Sequence, residues 1–319
     1  MSIPLLVDCD TGIDDALALA YLACRDDVEV TGIVSSGGNV PAATVHRNNL
    51  ALTGLLGLEA PVALGTDRPL VEPPMFADDT HGPEGLGHAV LPAPDRAEDP
   101  RSGAQLWVDL ARARPGELVG IVLGPHTNLA LALEIAPELP HLLRRLHVMG
   151  GAIHHRGNTG PTSEWNIAVD PEAAQRVLAA FTGAPRRPVL GSLEATETVR
   201  FTGATLARLE DLASRSPHPV PRILADAVRF YFEFHEADGF GWMAHVHDPL
   251  VTAHAVTGEF AGTRPLAVDV ELAGTLTRGQ TVGDELGRWG REPNIDLLTE
   301  VRAEEFVEHL LTTLEDHLG

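Results

Sequence analysis

Ile3-Pro4-Leu5-Leu6-Val7-Asp8-Cys9-Asp10-Thr11-Gly12-Ile13-Asp14-Asp15-Ala16-Leu17-Ala18-Leu19-Ala20 is the stretch whose reading decides the fold. Ile3 to Asp8 is a short apolar run, and Asp10-Thr11-Gly12 has the composition of a turn. Ala16, Leu17, Leu19, Ala20, Leu22 and Ala23 then recur at helical spacing, so the segment reads strand, turn, helix. The cycle returns as 28–35 followed by 42–56, as 118–123 followed by 128–135, and as 142–149 before a helix over 171–180. Such alternation of apolar strands with helices predicts an α/β fold with an open, mostly parallel β-sheet flanked by helices, Rossmann-like in plan. Ligands of these sheets bind beyond the carboxyl ends of the strands. Asp8 and Asp10, Gly38 and Asn39, Leu123 and Gly124, and Met149 and Gly150 all fall at those ends.

Three Pro/Gly-rich stretches read as loops: 73–101, 157–161 and 214–221. The first exceeds ordinary loop length, which marks it as a candidate for function or mobility. After Pro219 a helix rich in aromatics (Phe230, Tyr231, Phe232, Phe234) runs towards Gly239. Further strands are expected at 266–272 and 295–301, with a closing helix at 303–317. No repeat or low-complexity segment interrupts the chain, and a single domain over 1–319 is expected.

With 44% hydrophobic and 21% charged residues, the 319-residue chain has the balance of a globular enzyme. Its formal charge of −22, from 45 acidic and 23 basic residues, repels nucleic-acid backbones and anionic lipid, so neither nucleic acid nor membrane is an expected partner. No apolar run reaches the ~20 residues of a membrane span, and the N-terminus lacks a basic n-region and a small-residue cleavage site. A cytoplasmic protein is expected, with Cys9 and Cys24 as small buried apolar residues rather than a disulfide.

Asp8, Asp10, Asp14 and Asp15 crowd four carboxylates into one strand end and the following helical turn. Singly, each has an ordinary reading: Asp10 in a turn, Asp14 and Asp15 favouring a helix dipole. Together they repel one another unless cations or protons intervene, and Asp8 sits where a buried strand wants an apolar residue. Asp8 and Asp10, two apart, are expected on one strand face. Oxygen ligands without cysteine or histidine favour a hard cation, Ca²⁺ or Mg²⁺. A further carboxylate is expected from Asp248 in His247-Asp248-Pro249-Leu250, where Asp248 also reads as an N-cap before Pro249.

The segment from Asp8 to Leu19 closely resembles the N-terminal signature of the inosine-uridine preferring nucleoside hydrolase family. Other stretches resemble the family in order: Gly37-Gly38-Asn39-Val40, His81-Gly82-Pro83-Glu84-Gly85-Leu86-Gly87, Gly124-Pro125-His126-Thr127-Asn128-Leu129-Ala130 and Met149-Gly150-Gly151. Gly157-Asn158, Glu164-Trp165-Asn166-Ile167-Ala168-Val169-Asp170-Pro171 and His247-Asp248-Pro249-Leu250 continue it, so the resemblance spans residues 8 to 250. It implies hydrolysis of the N-glycosidic bond of ribonucleosides. It further implies one Ca²⁺ held by Asp10, Asp15, Asp248 and the main-chain carbonyl of Leu123, with room for water and two ribose hydroxyls. In the mechanism so implied, a calcium-bound water activated by Asp10 attacks the anomeric carbon through an oxocarbenium-like transition state. Asp14, Asn39, Asn158, Glu164 and Asn166 would hold the ribose, and His247 would protonate or hydrogen-bond the departing base. A homodimer or homotetramer is implied likewise.

Some of these residues have plainer readings. Asn158 after Gly157 also reads as a turn residue, and Glu164 and Asn166 as one face of an extended segment. His81 is a candidate either for the site or for holding its loop, and Asn128 reads as a structural amide; the resemblance puts the aromatic helix 230–235 where residues stack on or close over the base, although its phenylalanine stripe also reads as core. Thr11 stands where the family often has Pro, and its hydroxyl is expected to cap the next helix; Glu84 stands where Asp is frequent. Two rival classes are an aspartyl-phosphate phosphotransferase with Asp8 as nucleophile and a noncatalytic nucleoside- or ribose-binding protein. The first leaves Asp14, Asp15 and the His247-Asp248 pair unexplained.

Overall fold

The structure is a computed structural model and describes residues 2–319. Its strands, in chain order, are β1 (Ile3–Cys9), β2 (Val28–Ser35), β3 (Val62–Leu64), β4 (Asp99–Ser102), β5 (Val119–Val122), β6 (Arg145–Met149) and β7 (Val189–Gly191). They continue with β8 (Arg200–Thr202), β9 (Met243–His245), β10 (Gly262–Leu266), β11 (Val268–Val270), β12 (Thr281–Gly283) and β13 (Ile295–Thr299). Nine of them form one sheet in the order β10-β13-β7-β6-β5-β1-β2-β3-β4, parallel throughout except for the β10–β13 pair. The expected parallel α/β sheet is therefore present. From β1 the chain builds outward to β4, then returns to β5 on the other side of β1, so the strand order reverses between β1 and β5. That reversal opens a crevice at the carboxyl ends of these two strands.

Side-chain alternation along β1 feeds two cores. Leu5, Val7 and Cys9 pack towards the helices Ile13–Ala23, Val220–Ala237 and Ala303–Leu318, whereas Leu6 packs towards Gly103–Ala113, Thr127–Ile135 and Pro171–Ala180. Both cysteines are free and buried. Among the described residues no helix is long and apolar enough to cross a membrane.

Several boundaries differ from the sequence reading. The apolar run 266–272 is not one strand: β10 ends at Leu266 on the main sheet, and Val268–Val270 turns away to pair with β12. Loop 73–101 contains the short helix Asp78–His81 and ends in the edge strand β4. The helix Gly203–Arg215 reaches into the loop expected at 214–221, and Val220 already begins the aromatic helix. Glu164 and Asn166 lie on no extended segment, because Glu164 caps a short helix, Trp165–Val169.

Candidate active site

The first aspartates diverge where β1 ends. Asp8, still within the strand, accepts from Trp107 Nε1 at 2.7 Å on one oxygen and from the Ser36 hydroxyl on the other, and burial raises its pKa to about 7. It points into the core beside the helix Gly103–Ala113 and does not line the cavity as Asp10 does, so the expectation that the two share one face is overturned. The strand stops at Cys9, and the turn from Asp10 onward breaks the two-residue repeat. With both oxygens engaged in the core, Asp8 has no nucleophilic role to play.

Asp10 sits at the crevice between β1 and β5. Its Oδ2 accepts from Asn39 N at 2.8 Å, and its two oxygens press against glycines on either side. A Cβ on Gly38 would fall 2.1 Å from Oδ2, and one on Gly124 2.6 Å from Oδ1. Asp15 closes the first turn of its helix by accepting from Gly12 N at 2.8 Å through Oδ2. Its Oδ1 is buried with no partner. Oxygens of Asp14, Asp15 and Asp248 lie within 4.8 Å of one another, the set of acidic groups that can hold a metal ion. Burial first and mutual repulsion second push Asp10 and Asp248 well above the usual carboxylate range and Asp15 to about 7. A buried anionic cluster of this kind, with an orphaned oxygen at its centre, suits a hard cation. Thr11 does not cap the helix as expected; its hydroxyl donates to Asn49 Oδ1, and Gly12 takes the N-cap position. The helix that begins at Asp248 is likewise capped by His247, one residue earlier than expected.

Around this cluster lies a cavity of about 480 Å³ lined by Asp10, Asp14, Asn39, Leu123, Asn158, Glu164, Asn166, His247 and Asp248 among others. Asp15 is buried beneath it. Asn166 Nδ2 donates to the Leu123 carbonyl at 2.6 Å, which leaves that oxygen a second lone pair. Glu164 accepts three backbone N–H groups, from Gly151, Asn166 and Ile167, at 2.9 to 3.1 Å. Burial outweighs these bonds and raises its pKa to about 7. Asn158 is exposed at the rim and accepts from Trp165 N at 2.9 Å, a turn role held at the cavity's edge. His247 Nδ1 meets the Thr196 hydroxyl at 2.8 Å, its backbone N–H donates to Asp14, and burial lowers its pKa to about 3. His81 Nδ1 accepts from Ile13 N at 3.1 Å, and its ring lines the cavity against Tyr231. Glu84 instead pairs with Arg47 outside the cavity, and its carbonyl accepts from Asn48 at 2.7 Å.

Residues 5–308 match the family described as inosine-uridine preferring nucleoside hydrolase. The chain belongs to this family. It is 34% identical over 317 residues to the pyrimidine-specific ribonucleoside hydrolase RihA of Salmonella typhimurium, covering 99% of both chains. Among solved structures it is similar to a purine-preferring ribonucleoside hydrolase from Gardnerella vaginalis, with TM-score 0.91 and 28% identity. It is also similar to an inosine-guanosine nucleoside hydrolase, with TM-score 0.87 and 26% identity; each comparison covers 99% of both chains. The protein is thus an enzyme that hydrolyses the N-glycosidic bond of ribonucleosides.

This nucleoside hydrolase has a second wall, built in part by the aromatic helix. Tyr231, Phe234 and His235 of the aromatic helix line the cavity, whereas Phe232 is core and Phe230 packs against His88. His245 joins them from β9, its ring 5.4 Å from His235, with a buried Nδ1 that has no partner. Arg156 pairs with Glu197 at 3.1 Å and lies 5.1 Å over the Phe240 ring. Two residues of spacing before His247 was the available signal for His245, but nothing local marks Arg156 or Glu197.

Proposed function

We propose that the hydrolase uses Ca²⁺ and that Asp10 is its general base. The carrying observation is the clamped Asp10 carboxylate beside the Asp14, Asp15 and Asp248 cluster. Asp10, Asp15, Asp248 and the free lone pair of the Leu123 carbonyl would hold the ion, which when bound supplies positive charge to polarise a water and two ribose hydroxyls. Asp10 takes the proton of the attacking water as its oxygen bonds the anomeric carbon. The C–N bond breaks with its electron pair going to the base.

Asp14, Asn39, Asn158 and Asn166 hold the sugar hydroxyls, and Glu164, with one of its ~4 acceptor sites left, faces the positive charge on the ring. When the Thr196 hydroxyl donates to His247 Nδ1, the ring proton sits on Nε2, where a neutral imidazole donates to the departing base. Tyr231, His235 and His245 surround the base. The family's homodimer or homotetramer is the assembly we propose, checked by sedimentation velocity.

Release of free base and reducing sugar from purine and pyrimidine ribonucleosides, with and without chelator and beside Asp10→Ala, tests the reading. Chelator-sensitive release that Asp10→Ala abolishes is expected, and the panel ranks the bases. Release that survives both treatments would overturn the assignment of metal and base. His247→Ala should lower kcat on natural nucleosides and spare substrates with activated leaving groups; equal losses on both would remove His247 from its role.

A further inference from the structure

At the amino ends of the parallel strands, across the sheet from the catalytic cavity, a second cavity of about 510 Å³ opens between β6, β7 and the carboxyl end of the helix Asp248–Thr257. Arg144, Arg145, Arg186, His147 and His254 line it. Every one of the chain's 23 basic residues is an arginine, and most are paired with carboxylates. Arg145 follows that rule, meeting Asp296 at 2.7 Å. Arg144 and Arg186 do not: among the described residues neither has a carboxylate partner, and Arg186 reaches only the Leu143 carbonyl, at 3.4 Å.

Deeper in, His147 and His254 are 5% and 9% exposed, their rings 5.4 Å apart, and the Nδ1 of each is buried without a partner. Burial first and the nearby Arg145 charge after it hold both imidazoles neutral, with no carboxylate among the groups acting on them. The features that oppose an anion here are Asp296, held on Arg145, and the helix carbonyls that end at the cavity, of which the His254 carbonyl is taken by Gly258 N–H at 2.9 Å. A chain of charge −22 thus encloses a pocket with unmatched cations at its mouth and unmatched imidazole nitrogens inside. Guanidinium forks suit tetrahedral oxyanions, and a neutral imidazole donates through its protonated nitrogen without titrating.

We infer that this cavity binds a small oxyanion of the phosphate class, gripped by Arg144 and Arg186 and received inside by the imidazole N–H groups of His147 and His254. The ligand is inorganic phosphate or a phosphate monoester, chemistry separate from the uncharged nucleoside of the catalytic cavity.

Calorimetric titration of the full-length protein as purified, freed of excess calcium and held at constant ionic strength, tests this with inorganic phosphate and with ribose 5-phosphate. Saturable binding is expected, with movement of the His147 and His254 imidazole resonances in the NMR spectrum. Arg144→Ala/Arg186→Ala should weaken it about tenfold or more, and Asp10→Ala should leave it unchanged. Tighter binding of ribose 5-phosphate names an ester as the ligand, and equal or weaker binding names free phosphate. The inference is overturned by absence of saturable binding, by binding that the double substitution leaves intact in a folded protein, or by imidazole resonances that do not move.

Discussion

Gly38→Ala should disable the enzyme while leaving it folded. The backbone at Gly38 is outside the left-handed region, so alanine is conformationally permitted there. The obstacle is the carboxylate: the new Cβ would lie 2.1 Å from Asp10 Oδ2 and 2.8 Å from Pro125 Cδ. Relief to ordinary contact moves Oδ2 by about 1 Å, and the opposite oxygen already lies against Gly124. The movement breaks the 2.8 Å bond from Asn39 N, a charged-acceptor bond worth about 1.5–3 kcal/mol. A misplacement of about 1 Å at a reacting group costs on the order of 10²-fold in rate. Steady-state ribose release should therefore show kcat/KM down by about two orders of magnitude, while the melting temperature falls by only a few degrees. Gly160→Ala, whose Cβ would meet nothing within 4 Å, is the control. Wild-type kcat/KM in folded Gly38→Ala would refute the placement of Asp10 at the reacting centre.

Three further outcomes follow from burial. Asp15 has a folded pKa raised to about 7 without metal, so its contribution to stability is complete below its unfolded pKa of 3.8 and is lost as pH rises through about 7. Chelated protein should lose melting temperature between about pH 4 and 7, and Ca²⁺ should restore more at the higher pH, because binding displaces protons; a gain independent of pH would contradict the buried cluster. His126 is fully buried, both ring nitrogens lack partners, and its pKa falls from 6.5 to about 4, so its stability term is complete above pH 6.5 and is lost towards pH 4. That loss is worth about 3 kcal/mol, and urea unfolding of His126→Leu should show a flatter dependence on pH over that range. Asn49 accepts from Thr11 and donates to Ser35 at 3.0 Å, so Asn49→Ala should destabilise by about 1–3 kcal/mol in thermal unfolding, with the loss reduced when Thr11→Val removes the stranded hydroxyl.

Local spacing made much of the catalytic cluster legible. Asp14 and Asp15 sit in the first helical turn as expected, and Asp10 lies just beyond its strand. What local spacing misplaced were residues whose partners lie elsewhere in the chain. Asp8 belongs to Trp107, 99 positions away, and Thr11 to Asn49, 38 positions away. Glu164 read as one prong of a strand, but its carboxylate caps a five-residue helix while also accepting from Gly151, a partner that no periodicity announces. Tyr231 and Phe232 are neighbours in one aromatic helix and both are buried in the core, yet only Tyr231 also lines the cavity. Only the packing of that helix against its neighbours distinguishes them.

The sequence by itself determined the alternation of strands and helices, the parallel sheet and the acidic group at the end of its first strand. Those features rest on periodicity and on charges close in the chain, which act before any distant contact forms. Tertiary structure alone decided that the chain reverses between β1 and β5, setting Gly38 and Gly124 against Asp10. It also decided that Arg144 and Arg186 meet His254 at the other end of the sheet. Burial then set the protonation of these groups, because the cost of a charge depends on the neighbours that exclude water, and the fold assembles those neighbours from every part of the chain.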